Sequence, residues 1–128
     1  MAVENKILDL TYAAAESLAS DQYRIVVLDA TLGTVRRPNA ATDIPFGILQ
    51  NAPASGEAAV VRVLGVSKVV LGATLARGSI IGCEYVGAAD AGKAQAAVAT
   101  QYPVGILLDG GVEDDLCTCL MGNIIVKA

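Results

Sequence analysis

PFGILQNAPASGEAAVVRVLG (residues 45–65) and PVGILLDGGVEDDLCTCLMG (residues 103–122) are nearly the same sentence written twice in one chain. Each opens with Pro, an apolar residue, Gly, Ile and Leu. Each then passes through a turn with an acidic residue and enters an alternating run that ends in Gly, the second copy being one residue shorter. The physical reading is a strand–turn–strand hairpin used twice. In it Ile48 or Ile106 is expected to point inward, while Gly47 or Gly105 permits a bulge or a close approach of neighbouring backbone. Two copies are too few for a solenoid. They suit a pseudo-symmetric barrel in which each hairpin closes one side.

The flanking sequence is written in the same style. QYRIVVLD (22–29), TVRR (34–37), AAVVRVLG (58–65), VSKVVLG (66–72) and GSIIGCEYV (78–86) are short β-branched or alternating runs. Turn signals separate them, and Gly65 is expected to divide two strands. Lys68, in an otherwise apolar run, fits an edge strand that resists sheet-to-sheet aggregation. TYAAAESLAS (11–20) and LGATLARG (71–78) have room for no more than a helical turn or two. The expected class is all-β: a small barrel or sandwich of short strands with a pseudo-repeated hairpin and at most short helical turns. The length of 128 residues predicts one domain, with residues 1–10 as an N-terminal arm or first strand and 11–128 as a single β domain.

Composition excludes several function classes. The hydrophobic fraction is 54% with only 4% aromatic, so a core of small, close-packed side chains is expected. The net charge of −4 and pI near 4.6 leave no basic stripe for nucleic acid. Arg36 and Arg37, the only basic pair, precede Pro38 in what reads as a solvated loop. Mean hydropathy is +0.54, yet the charge-free run 94–108 contains two Gln, a Pro and a Gly and is too short for a spanning helix, which needs ~20 apolar residues. The first ten residues have early acids and no apolar core of a signal peptide, so a soluble protein that stays where it is made is expected.

Catalytic chemistry is equally hard to place. The chain has no His, which removes the commonest general base and the commonest transition-metal ligand. Neither GxSxG nor a P-loop ending is present. Cys83, Cys117 and Cys119 form no metal-binding spacing and read as buried small hydrophobes. The acidic run 113–115 is contiguous rather than alternating and reads as an exposed turn rather than a Ca²⁺ loop. The tip DAGK (90–93) reads as a turn with a solvated lysine. No catalytic residue, cofactor or metal is expected, and the repeat reads as scaffolding.

From residue 12 to about 122 the order of these phrases resembles the small capsid decoration (cement) proteins of tailed bacteriophages. The shared phrase falls on Ala41, Asp43, Pro45, Gly47, Ile48, Leu49, Pro53, Gly56, Glu57, Ala59, Val61, Gly65, Lys68 and Val69, followed by ARGSIIG, DAGKA and the second GIL segment. The resemblance implies a virion protein made in the host bacterial cytoplasm. It would bind the outer capsid surface of the mature head and cement neighbouring major capsid proteins. It also implies self-association, with a homotrimer at three-fold or quasi-three-fold positions as the expectation, and neither nucleic acid nor membrane as partner. Val3, Ile7, Leu8 and Leu10, in the segment before the strongest resemblance, are candidate capsid-binding residues that could order on the shell as an added strand. The alternatives are a hub or base module of a head fibre or tail and, from another class, a small-ligand-binding β-barrel.

Overall fold

The structure, a computed structural model, describes residues 2, 4–40, 42–83, 85, 87, 89–98 and 101–122. These contain nine strands: β1 (Asn5–Ala14), β2 (Ile25–Leu28), β3 (Thr34–Arg36), β4 (Gly47–Leu49), β5 (Ala58–Val70), β6 (Ile80–Cys83), β7 (Ala94–Ala96), β8 (Gly105–Leu107) and β9 (Leu116–Met121). They form one sheet in the order β1-β3-β2-β4-β5-β9-β8-β6-β7. A further antiparallel pairing of β1 with β5 bends the first five strands into a ring. The all-β expectation holds, and no helix occurs among the described residues. The Ala-rich stretch from residue 11 continues β1 because its partners, Val60 to Ala58 on β5, satisfy its backbone.

The repeat extends well beyond the hairpin. β4–β5 and β8–β9 superimpose in register without a slip: Gly47 corresponds to Gly105, Leu49 to Leu107, Val61 to Cys119 and Ala59 to Cys117. Gly65 is therefore the counterpart of position 123, outside the described residues, and not of Gly122. β2 and β3 correspond to β6 and β7. β1 corresponds to the second half of β5, so that strand closes the first ring and opens the second. The second ring closes through a parallel bridge, Leu71 to Ala94, which matches the parallel pair Ala14 to Val35 in the first.

Backbone conformation repeats with the topology. Six of the seven positive-φ residues fall at matched sites: Tyr23 (φ 65°) with Gly78 (87°), Gly33 (82°) with Gly92 (88°), and Gly56 (82°) with Asp114 (70°). The acidic residue of each hairpin caps its turn in the same way. Ala54 N–H donates to Glu57 Oε1 at 2.7 Å, and Val112 N–H donates to Asp115 Oδ2 at 2.9 Å. The strand that follows is held by Asn51 Oδ1 on Val60 N–H in one repeat and by Asp109 Oδ1 on Thr118 N–H in the other.

The two interiors are built from matched residues. Ala14, Leu18, Val26, Val35, Leu49, Ala59 and Val61 fill the first ring. Leu71, Leu75, Ile81, Ala94, Leu107, Cys117 and Cys119 stand at the same places in the second. The cysteines thus replace Ala59 and Val61 as small core side chains, as their sequence setting indicated. Ile48 is fully buried, as expected, but in the cluster between the rings, whereas Ile106 is 43% exposed, a correction to the sequence reading. The period-2 alternation turns Leu49 and Leu107 inward and the isoleucines outward.

Three further expectations are corrected. Gly65 does not divide β5. With φ of 111° it bends one continuous strand, and a Cβ there would lie 2.5 Å from Asn5 O and 2.7 Å from Ile7 N. Lys68 is on a central strand, with its amine 5.5 Å from the Tyr23 ring centroid, a cation–π contact rather than an edge guard. Arg36 and Arg37 are half-buried and ion-paired rather than freely solvated. Arg36 ends β3 between Asp29 and Asp43, each at 3.4 Å. Arg37 Nε lies 2.5 Å from buried Asp21, which Arg24 also approaches at 3.5 Å. Replacing Asp21 with Ala is expected to cost about 1–2 kcal/mol in chemical denaturation. The figure stays low because both arginines can turn to water once the carboxylate is gone.

Candidate functional site

Among the described residues no three His, Cys, Asp or Glu side chains are placed to hold a metal. The thiols are poor nucleophiles: burial pushes Cys83 up to about 11 and Cys119 up to about 12. Among the same residues no helix is long and apolar enough to cross a membrane.

Lys93 is a misread element. It is 6% exposed rather than solvated, with Nζ 2.7 Å from Asp90 Oδ1 and 2.6 Å from Asp114 Oδ1. Hydrogen bonds from Asp114 and Asp90 raise the lysine pKa, and the Lys93 hydrogen bond lowers that of Asp90. In the first repeat the places of Lys93 and Asp114 are taken by Thr34 and Gly56. The ion triad therefore belongs to the second ring alone and pins its two hairpin turns together.

What remains is surface. Of the candidate capsid-binding residues, Ile7, Leu8 and Leu10 lie on β1, and Val3 lies outside the described residues. Ile7 is 72% exposed, Leu8 is exposed and Leu10 is half-buried. They share a strand but not one patch, since β1 bulges between Lys6 and Leu8 and again between Leu8 and Asp9. Asp9 on that strand pairs with Arg62 on β5 at 2.9 Å, and Glu4 reaches the same guanidinium at 3.9 Å. This partly buried pair fixes the strand and leaves Ile7 facing solvent.

A second apolar surface went unread in the sequence. Ile80, Ile106 and Leu120 are direct cross-strand neighbours on β6, β8 and β9. With Pro103, Val104 and Met121 they line a shallow hollow of about 420 Å³ that contains no charged side chain. A usable signal was present. The repeated GIL phrase alternates, so in each copy either the isoleucine or the leucine had to face away from the ring interior. Another hollow, of about 510 Å³, lies by Leu28, Ile44 and Phe46, with the Arg36–Asp43 pair on its wall.

No protein-family model matches the chain, and no curated protein matches it. Among solved structures it is similar to the head fibre gp8.5 N base in bacteriophage phi29, with a TM-score of 0.68 at 16% identity. The match covers 94% of this chain and 98% of that one. The likeness runs through both repeats and is one of backbone architecture: this chain has the all-β fold of that base domain.

Proposed function

We propose that this chain is a phage virion structural protein, the base module of a fibre on the outer surface of the head. It acts by binding and not by catalysis. The observation that carries the reading is the end-to-end fold likeness to a head fibre base, which leaves almost none of either chain unaccounted for. A rigid double ring with exposed apolar strand residues suits a protein that must seat on a shell and stay there. Its proposed partner is the major capsid protein of that shell, contacted through the first half of β1 around Ile7 and Leu8, with no cofactor, nucleic acid or membrane involved.

The cement reading is the second candidate, supported by the order of phrases from Ala41 to Val69. The two differ in what binding does to the head. A ligand of the expanded lattice that bridges capsid subunits stabilises it by mass action. A fibre base adds a projection and leaves the lattice as it was.

The test is co-sedimentation of the purified protein with procapsids and with expanded heads, counting copies per shell, followed by thermal disruption of the loaded heads. Saturable binding with an unchanged disruption temperature is the expected result. Binding that raises that temperature would favour cement, and no binding to either form would overturn the virion reading. Deleting residues 1–8 is expected to weaken head binding while the circular dichroism of the protein is kept. Undiminished binding by this variant would remove β1 as the contact.

A further inference from the structure

The seams of the two rings are closed in different ways. In the first, Ala13 N–H donates to Gly33 O at 3.0 Å and Ala15 N–H to Val35 O at 2.8 Å, so β1 and β3 meet directly. In the second, Gly72 N–H donates to Ala94 O at 2.7 Å, matching the latter bond. Val70 and Gly92, the counterparts of Ala13 and Gly33, are joined instead through residues of the first ring. Val70 N–H donates to Tyr23 O at 3.0 Å, and Gly92 O accepts from Ile25 N–H at 2.7 Å. Residues 23–25 form a strap threaded into the second seam. Arg24 Nη1 extends it by donating to Ala89 O at 2.7 Å.

The matched glycines show how closely the strap fits. A Cβ on Gly92 would lie 2.5 Å from Ile25 O and 3.2 Å from Arg24 Cβ, whereas one on Gly33 meets nothing within 4 Å. Both glycines have the same left-handed backbone, so the strap alone separates them. The interiors carry the same asymmetry. Among the described residues, the first interior is drawn wholly from the first ring. The cluster of the second also contains Ile25 and Ile48 of the first, 1% and 0% exposed. The first ring has its own seam and its own interior, and the second borrows part of both.

We propose that the strap makes ring closure hierarchical: the second ring opens and recloses on an intact first ring, and it does not stay closed once the first has opened. Such an event is a cooperative opening of part of the molecule. It frees β6 to β9 and leaves β5 paired with β1 and β4. Its cost to the first ring is confined to uncovering Ile25 and Ile48, since the first seam and interior contain nothing from the second. The inference does not depend on the virion role. Where that role holds, β1, the proposed shell contact, lies on the ring that remains shut.

Native-state amide hydrogen exchange on the full chain tests it. In the wild type, amides of β6 and β8 should exchange at least about tenfold faster than those of β4 and residues 10–14. Leu49 and Leu107 are matched probes, both 0% exposed and at the same place in their rings. Leu49→Val weakens the closed and half-open forms alike. It should speed the first-ring amides about fivefold and leave β6 and β8 within about twofold of wild type. Leu107→Val weakens only the fully closed form and should speed both sets about fivefold. Leu49→Ala and Leu107→Ala serve if the valine variants move neither set. Gly92→Ala, which pushes the strap from its seam, should speed the first-ring amides at least about tenfold more than Gly33→Ala does. Equal exchange of the two sets in the wild type overturns the proposal, as does Leu49→Val speeding both or Leu107→Val speeding β6 and β8 alone. Equal effects of Gly92→Ala and Gly33→Ala would remove the strap as its cause.

Discussion

Gly47→Ala and Gly105→Ala should each cost about 2–4 kcal/mol of folding stability, lowering Tm by roughly 6–14 °C in a chain of this size. A Cβ on Gly47 would lie 2.5 Å from Arg62 O and 2.7 Å from Val61 Cγ1. On Gly105 it would collide with the Leu120 carbonyl and approach Cys119 Sγ at 2.8 Å. Both obstacles are the backbone and a core side chain of the neighbouring strand, which cannot yield without opening the ring. The control is Gly33→Ala. Its φ of 82° is costly for alanine, but no atom lies within 4 Å of the added methyl, so only about 1–2 kcal/mol is expected. If Gly33→Ala proves as damaging as Gly47→Ala, the close approach is not the reason for the glycine in the repeated phrase.

The second large effect concerns Lys93 and runs against the usual intuition about which partner matters. Asp90 and Asp114 are well hydrated, so losing the lysine releases them to water at little cost. Losing both acids strands an ammonium that is 6% exposed. Asp90→Asn with Asp114→Asn should therefore cost about 2–3 kcal/mol, moderated by the reach of the long lysine stem toward solvent. Lys93→Thr with Asp114→Gly, which restores the residues of the first repeat, should melt close to wild type. The pH dependence follows from the directions of the shifts. The lowered Asp90 pKa contributes stability present above its ordinary value of 3.8 and lost as pH falls below it. The raised Lys93 pKa contributes stability present below 10.5 and lost as pH climbs through the higher folded value. Melts between pH 2.5 and 11.5 should show the neutral Thr–Gly variant gaining on wild type at both extremes and matching it between. Parallel pH profiles would rule out the triad as a titrating element.

Much of this architecture was legible because hydrophobic alternation and glycine turns are local. The two GIL hairpins, the strand class and the buried cysteines follow from period-2 patterning and the absence of metal-ligand spacing. What escaped was set by contacts far apart in sequence. Lys93 looks solvated until Asp114 is folded beside it, and Arg37 looks like a loop residue until Asp21 is buried next to it. Gly65 reads as a strand break because local rules assign glycine to turns, whereas here it lets β1 cross over a bent strand. The inward assignment of Ile106 failed for a different reason. Alternation fixes which residues share a side but not which side is the core, and Gly47 and Gly105 gave no side chain to decide it. The candidate contact residues on β1 were singled out because they precede the strongest resemblance, and the repeat itself concealed the Ile80–Ile106–Leu120 face.

Strand β5 belongs to both rings, and this gives the molecule a mechanical character. Antiparallel hydrogen bonds lie perpendicular to their strands. A pull along β5 therefore strains its bonds to β1 and β4 at one end and to β9 at the other simultaneously, in shear, rather than peeling them one by one. Neither ring can yield to such a load without the other. A domain built this way transmits tension from end to end as one stiff body, a property that suits the fibre-base role proposed above.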